Sequence, residues 1–507
     1  MYLNTDHLVI ITQNNSPKLL VTMELLNKTI KKLSEQEYQE LLSAVAGRKN
    51  NKPYTVLEYA RKFNYSEDQM MDLLAVNPST YYTLKSRLNE KIAQYMSKNV
   101  HNPINALKEK VAAVPAMMFG NNREVAIRAL RNLEKQLIEY DLSTELITVY
   151  KALARLSMFN GDFDFYEKEY NKHVAYSLAV VKAEDLFYEF AKRAGKYLLS
   201  KEDSDKEMMS AALREITNIA ELYHGHRLFV LSNVVRLYHL CIITSRTENL
   251  KALELEVDSV LGQIDRHFST YELDTFYQSI RFLVDLMYFE YYQQADNQVR
   301  ADHHFEKVNH KIGDVGSKPI FNFYSIQFLF SKVRRYLSNK NINQLLENNG
   351  TLEHSFDAES TEPFAFISFK KYIAICKFYQ GDFANAAKTI NSLRNEMSIK
   401  KFLYADVEVK LFQALQYCVI GDDSLCNQIL QSVKRQIPEH DEKYEPATIL
   451  IKMIKTALKP DDIRRKIKKL TEINEVFEGS KKNANSMFWF LQLDENILRK
   501  MANPIKI

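Results

Sequence analysis

A turn made of glycine followed by a polar residue recurs along this chain at a nearly constant spacing. It occurs at Gly161, Gly381 and Gly421, in the stretches "NGDFDF", "QGDFAN" and "IGDDSL", and Gly120 in "FGNNREVA" is a fourth version. Weaker polar breaks fall near residues 203, 247, 296, 340 and 460. Successive breaks are separated by 39 to 49 residues, with a period of about 41 at the glycine turns. A fixed period of this length indicates an array of repeated structural units.

Apolar residues on the two sides of each break recur at three- and four-residue steps, which predicts helices. Glycine can adopt the left-handed conformation that ends a helix, and aspartate can cap the first N–H groups of the next one. A helix pair of this length cannot bury its apolar face alone, so neighbouring pairs must stack. The pattern is clearest before the break near 296 and after Gly381, at Leu273, Phe276, Ile280, Leu283, Met287 and Tyr291, and at Ala384, Ala387, Ile390 and Leu393.

The composition agrees with a helical protein in a reducing compartment. Twelve glycines and eleven prolines are few for 507 residues, and sheet proteins need both residues at their turns. The four cysteines are far apart and include no CxxC pair, so we expect reduced thiols. The first residues lack the features of a signal peptide, and no apolar stretch is long enough to cross a bilayer. We therefore predict a cytoplasmic protein without membrane insertion.

The stretch "YQGDFANAAKTI" resembles the central turn of a tetratricopeptide repeat, with Gly381, the aromatic Phe383 and the small Ala386 at matching places. Cys426 is the small residue after Gly421, whereas Tyr166 replaces it after Gly161. The period of about 41 also exceeds the roughly 34 residues of that family. The resemblance implies a tetratricopeptide-like architecture. We predict an all-α, right-handed α-solenoid of about nine helical hairpins over residues 101–480, with a capping helix and tail at 481–507.

The first hundred residues form a separate N-terminal helical domain with shorter helices, at about 17–31, 34–46, 53–63, 66–75 and 78–98. Within it, "SEDQMMDLLAVNPSTYYTLKSRLNEKI" places apolar residues where a helix-turn-helix needs them, so residues 66–98 are a candidate for that motif. Pro78 suits the first turn of the second helix. That helix would expose polar and basic side chains suited to phosphates and base edges: Ser79, Thr80, Tyr82, Thr83, Lys85 and Arg87.

The same stretch, "STYYTLKSRLNEKI", is similar to the DNA-reading helix of sigma-factor region 4 domains, although two extra residues separate its turn from its Lys-Ser-Arg-Leu run. Residues 1–110 carry 15 Lys and Arg against 11 Asp and Glu, so the net charge of +4 comes from this part of the chain. Such a surplus is a hint of an anionic partner. The alternative is a polar N-terminal cap on the solenoid, because solenoids need such caps. The sequence leaves both interpretations open.

No motif for a phosphate-binding loop, a dinucleotide fold, a zinc protease, a serine nucleophile or a calcium loop occurs in the chain. The histidine clusters in "ADHHFEKVNHK" and "YHGHRL" lack carboxylate or thiolate partners at helical spacing. We therefore predict no catalytic residue, no cofactor, no metal site and no enzymatic activity.

Three aromatic helices, at 271–293, 319–337 and 364–379, are the first members of their predicted pairs. In known arrays of this kind that helix faces the concave side. Aromatic groups with interspersed cations suit an extended peptide. An equally open alternative buries these aromatics between repeats. The groove hypothesis uses Tyr277, Arg281, Tyr324, Lys332, Arg335, Lys371 and Tyr372.

The function predicted from these features is a non-enzymatic scaffold or adaptor that binds a peptide or protein partner on its concave surface. The alternative is a DNA-binding transcription regulator, with an N-terminal helix-turn-helix and a solenoid that senses a peptide or protein. The sequence leaves the identity of the partner and self-association open.

Overall fold

A computed structural model describes most of the chain, and nearly all of that part is helical. No β-strand occurs among the residues that it describes, so the all-α prediction is confirmed. None of their helices combines the length and the apolar character needed to cross a membrane. The described residues are 30, 38–39, 41–46, 51–63, 66–98, 103–120, 122–159, 161–244, 254–270, 275–316, 322–339, 341–342, 345, 362–438, 441–481 and 486–504.

The chain divides into two compact units, Met1–Ala106 and Leu107–Ile507. The described part of the first unit contains a π-helical turn at Leu42–Ala46, followed by α1 (Lys52–Lys62), α2 (Glu67–Leu74) and α3 (Pro78–Lys98). These bounds match the predicted helices at 53–63, 66–75 and 78–98. The helices predicted at 17–31 and 34–46 fall largely outside the described residues.

Local capping explains where α2 begins and ends and where α3 begins. Ser66 and Gln69 form a reciprocal capping box at the start of α2. Ala75 ends that helix in the left-handed conformation, with φ of 48°. The Asn77 side chain then accepts a hydrogen bond from the Thr80 N–H at 2.8 Å, which caps α3. One apolar cluster buries the inner faces of these helices, with Val56, Leu57, Met70, Leu74, Tyr81, Leu88 and Ile92 among its members.

In the second unit, consecutive helices pack mainly against each other as neighbours. One continuous apolar core runs from Ala179 to Ala502. After α4 (Pro103–Ala112), which spans the boundary, the helices are α5 (Val114–Gly120), α6 (Arg123–Glu139), α7 (Ser143–Leu156), α8 (Phe163–Ser200), α9 (Asp203–Leu222), α10 (His226–Tyr238), α11 (Glu254–Thr270), α12 (Thr275–Gln294), α13 (Gln298–Gly316), α14 (Asn322–Ser338), α15 (Pro363–Tyr379), α16 (Phe383–Glu396), α17 (Leu403–Ile420), α18 (Asp423–Lys434), α19 (Glu445–Leu458), α20 (Ile463–Ser480) and α21 (Glu495–Ala502).

The predicted breaks near 120, 161, 203, 296, 381, 421 and 460 all coincide with helix ends, and those near 247 and 340 lie outside the described residues. Gly381 and Gly421 have φ of 79° and 87°, the left-handed conformation expected after a helix. Asp382 caps α16 and Asp422 caps α18, each by accepting a hydrogen bond from a backbone N–H. The chemistry predicted for the glycine–aspartate junction is confirmed at these two places.

One helix departs from the repeat pattern. Between the breaks near 161 and 203 the period predicts two helices, but α8 is a single helix of 38 residues. It packs against α7, α9 and α10 along the chain, and also against the distant helices α14, α15 and α17. Gly195 permits one of these contacts, since a Cβ there would lie 3.0 Å from the Phe364 ring. Here one long helix replaces the predicted pair.

The chain returns to the core after α20. We call Ser486–Leu493 the C-terminal segment. Its Phe488, Phe490 and Leu491 side chains are fully buried. The Tyr379 hydroxyl donates a hydrogen bond to the Phe490 carbonyl at 2.7 Å, and the Phe488 N–H donates to Glu408 Oε1 at 3.1 Å. These bonds fasten the C-terminal segment to α15 and α17.

Candidate functional site

The tyrosines predicted to line a groove are in the core instead. Tyr277, Tyr324 and Tyr372 are each 0% exposed. The Tyr324 ring stacks on Phe187 at 5.5 Å between centroids, and the Tyr277 hydroxyl donates to Glu184 at 3.1 Å. Because helices pack on several sides of α12, α14 and α15, the aromatic rings serve as packing between helices. The prediction that these tyrosines are exposed anchors is wrong.

Most of the cations predicted to line the groove are buried or paired with a neighbouring side chain. Lys332 is buried and donates a hydrogen bond to Asn309 at 3.1 Å, and burial lowers the pKa of its ammonium to about 8. Arg335 is buried and paired with Asp302. Arg281 keeps partial exposure and pairs with Asp265 at 2.8 Å. Lys332 and Arg335 are therefore not exposed groove residues, and the predicted set does not form one surface.

Lys371, the remaining predicted cation, lines a cleft that the sequence did not reveal. The cleft lies where α8 ends and is bounded by α14, α15, α17 and the C-terminal segment, with about 50 Å³ of free space. Apolar and aromatic side chains make up much of its wall, and four charged groups open into it. We call it the cationic cleft and define it by Lys201, Phe330, Arg334, Lys371, Glu408 and Trp489.

Two of its cations are paired. The Lys371 ammonium donates to Glu408 Oε2 at 2.7 Å and lies 5.0 Å from the centre of the Phe330 ring. The Arg334 guanidinium lies 5.1 Å from the centre of the Trp489 ring. It also faces Glu290 at 3.6 Å, a buried carboxyl whose pKa is raised by burial. The charged groups on this wall are thus held in place by contacts from three different helices.

Lys201 is the third cation of the cleft. It follows the last residue of α8 in the left-handed conformation, with φ of 54°. Its ammonium lies 5.0 Å from the centre of the Tyr197 ring and 5.8 Å from that of Tyr404. Burial lowers the pKa of Lys201 to about 8, with Lys371 adding to the shift and Glu408 opposing it. The sequence marked this residue as part of a polar break and nothing more.

In the N-terminal unit, the predicted DNA-contacting face of α3 is largely exposed. Ser79, Thr80, Tyr82, Thr83 and Arg87 are exposed. Lys85 is different: it is 5% exposed and its ammonium binds Glu67 Oε1 at 2.5 Å. The Tyr82 hydroxyl donates to the other oxygen of Glu67 at 2.9 Å. Lys85 is therefore not available to a phosphate, because α2 supplies its partner.

The histidine cluster near residue 304 has a structural role. His304 stacks on Tyr288 at 4.4 Å between centroids, and its Nδ1 lies 3.2 Å from Asp285 Oδ1. Within the described ranges no group of three or more His, Cys, Asp or Glu side chains is placed to hold a metal ion.

Comparison of the chain with models of protein families, with curated proteins and with solved structures finds no match. The resemblances to tetratricopeptide repeats and to sigma-factor region 4 therefore rest on the residues of the two stretches "YQGDFANAAKTI" and "STYYTLKSRLNEKI".

Proposed function

We propose that the chain is a non-enzymatic scaffold or adaptor of the cytoplasm that binds a peptide or protein partner. In this proposal the second unit is a right-handed α-solenoid of tetratricopeptide-like helical hairpins, and the partner lies on its concave surface. The neighbour-to-neighbour packing of consecutive helices supports such an architecture. The observation that carries the proposal is the cationic cleft, which combines aromatic and charged side chains at one opening.

The physical chemistry of the cleft suits a peptide. Trp and Arg are the residues that contribute most to binding energy in protein interfaces, and here Arg334 lies against Trp489. The ion pair between Lys371 and Glu408 holds both side chains in one arrangement before any partner arrives. Such preorganisation reduces the entropy lost on binding. Peptide backbone groups can hydrogen-bond to these side chains while apolar side chains of the peptide contact the aromatic wall.

A site-specific cross-link tests this function. We would replace Trp489, at the cleft, by the photo-crosslinking amino acid p-benzoylphenylalanine in the full chain, and make the same replacement at the exposed Val476 on α20 as the control. We expect a discrete partner to be cross-linked from position 489 and not from position 476. Identical cross-linking from both positions, or none from position 489, would contradict binding at the cleft.

A second candidate function is DNA binding by a transcription regulator whose solenoid senses a peptide or protein. It is favoured by the α2–α3 pair, in which eight helical residues, a three-residue connection and a helix beginning at Pro78 follow the order of a helix-turn-helix. Ser79, Thr80, Thr83 and Arg87 are exposed on the second helix, where this motif places its base and phosphate contacts.

Fluorescence anisotropy of the full chain with mixed-sequence DNA duplexes at low salt tests the second function. Arg87→Ala should weaken binding and reduce the salt-dependence slope by about one unit, since one phosphate contact is lost. Lys62→Ala is the matched control, because Lys62 is an exposed cation on α1 that pairs with Glu58. Equal losses in the two variants, or no binding by the unmodified chain, would contradict a specific role for α3.

A further inference from the structure

The charges of the cationic cleft do not balance within the part of the chain that the structure describes. Lys371 is matched by Glu408 and Arg334 by Glu290. Lys201 has no carboxylate within ion-pair distance and no hydrogen-bond acceptor for its ammonium among those residues. Its contacts are the faces of Tyr197 and Tyr404. The cleft therefore carries at least one positive charge more than these pairs neutralise.

Glu408 cannot supply the missing partner without loss elsewhere. Its Oε2 accepts from the Lys371 ammonium at 2.7 Å, and its Oε1 accepts from the Phe488 N–H at 3.1 Å. Turning either oxygen to Lys201 would take this acceptor from the buried Phe488 N–H or from the partly buried Lys371 ammonium, which is costly. Lys201 is only partly exposed, and an ammonium that has lost part of its hydration gains from a hydrogen-bond partner of opposite charge. Consistent with this, burial lowers the pKa of Lys201 to about 8.

We propose that the cationic cleft binds an anionic oxygen group of a ligand, a carboxylate or a phosphate, through the Lys201 ammonium. This inference rests on the proposed scaffold function, since the group would belong to the bound peptide: its C-terminal carboxylate, an acidic side chain or a phosphorylated residue. The cleft has about 50 Å³ of free space, which is room for a carboxylate or a phosphate group. The rest of the ligand lies outside, against Trp489.

The surroundings of Lys201 favour an anion over a neutral acceptor. The titratable groups that face it are Tyr197 on its own helix, Lys371 on α15, and Tyr404 and Glu408 on α17, and Arg334 on α14 lines the same cleft. Burial raises the pKa of Tyr404 well above its ordinary value, so this phenol remains neutral. A bound carboxylate or phosphate would give Lys201 the charge-assisted hydrogen bond that it lacks, which is about twice as strong as a neutral one.

Calorimetric titration of the full chain with three small probes tests the inference. N-acetylphenylalanine carries a carboxylate, its amide is the neutral match, and phenyl phosphate represents a phosphorylated residue. We expect the carboxylate or the phosphate to bind at least about tenfold more tightly than the amide. Whichever anion binds more tightly identifies the source of the group. Equal binding of all three probes would overturn the proposal.

Substitution of Lys201 locates the site. Lys201→Met keeps an unbranched side chain, one atom shorter, and the same backbone requirement, and should weaken anion binding at least about tenfold. Lys401→Met is the control, because Lys401 is an exposed lysine beside α17. Unchanged anion binding in Lys201→Met would overturn the proposal. If position 489 still cross-links a partner in that case, the scaffold function stands without the anion site.

A third variant covers the case in which Lys201→Met does not fold. Glu408→Gln retains an acceptor for Lys371 or for the Phe488 N–H and removes the negative charge that competes with the ligand. We expect it to bind the anionic probe several-fold more tightly. Weaker anion binding by folded Glu408→Gln would contradict the proposal.

Discussion

The junctions at Gly161–Asp162 and Gly381–Asp382 have the same two residues, followed in both cases by phenylalanine, yet the structure uses them differently. Gly381 has a φ of 79° and Asp382 caps α16, whereas Gly161 has no positive φ and the Asp162 carboxylate makes no cap hydrogen bond. Asp162 pairs instead with Arg131 at 3.1 Å. The dipeptide alone does not determine the geometry of the junction.

The helices after the two junctions differ as well. After Gly381 the chain forms α16 and α17 with a break at 397–402, while after Gly161 it forms the single helix α8. Neither 163–194 nor 397–402 contains glycine or proline. Helix-breaking residues therefore do not explain why one stretch is a continuous helix and the other is a break. The difference lies in tertiary contacts: α16 packs on α15 and α17, its neighbours in sequence, whereas α8 also packs on α14, α15 and α17. Long-range packing keeps α8 continuous.

The largest expected effect concerns the middle of α8. Lys182 is exposed there and pairs with Glu215 at the surface. Lys182→Pro should reduce the free energy of unfolding by about 3 kcal/mol or more, because proline removes a helical hydrogen bond and clashes with the preceding turn. Lys182→Ala should change it by less than about 0.5 kcal/mol. Chemical denaturation followed by circular dichroism measures both, and a proline variant as stable as the alanine variant would contradict a continuous helix.

A smaller loss of stability is expected from substitution of Gly381, and almost none from substitution of Gly161. Gly381→Val should reduce the free energy of unfolding by about 1–2 kcal/mol, since a β-branched residue resists the left-handed conformation. Gly161→Val should cost less than about 0.5 kcal/mol. A Cβ at either position would have no neighbouring atom within 4 Å, so steric clashes contribute to neither loss of stability. Similar losses at the two positions, measured by the same denaturation experiment, would show that the junctions are alike.

The smallest effect concerns the aspartates. Asp382→Ala should cost about 1 kcal/mol, because the N–H of Asn385 loses its side-chain acceptor. Asp162→Ala should cost less than about 0.5 kcal/mol, since an exposed ion pair contributes little. Thermal unfolding at two salt concentrations provides the test: salt screens the charges, so the loss at Asp162 should shrink by a larger fraction than the loss at Asp382, which includes a hydrogen bond. A larger loss at Asp162 than at Asp382 would reverse the comparison.

Local features of the fold were predictable from the sequence. The start of α2 at Ser66, the start of α3 at Pro78 and the turns at Gly381 and Gly421 depend on residues within a few positions of one another. Such local signals located these helix ends well. Local signals did not reveal that Lys85 is paired, because its partner Glu67 lies 18 residues earlier and on another helix.

The cationic cleft was not predictable, because its residues come from five separate parts of the chain. Lys201 ends α8, Arg334 and Lys371 lie on α14 and α15, Glu408 lies on α17, and Trp489 belongs to the C-terminal segment. The buried tyrosines were misplaced for a related reason. Helical periodicity identifies one apolar face, but α12 and α14 are enclosed on nearly all sides, and even polar residues such as Glu290 and Lys332 are buried.

The C-terminal segment affects the order in which this protein can complete its core during synthesis. Glu408 leaves the ribosome 80 residues before Phe488, and Tyr379 leaves it 113 residues before Gln492. At the usual rates of translation, these intervals last roughly 4 to 23 seconds. Throughout that time the aromatic faces of α15 and α17 that Phe490 later covers have no partner from the C-terminal segment. During synthesis this aromatic surface is therefore exposed for seconds, and transiently exposed apolar surface of this kind is prone to aggregation.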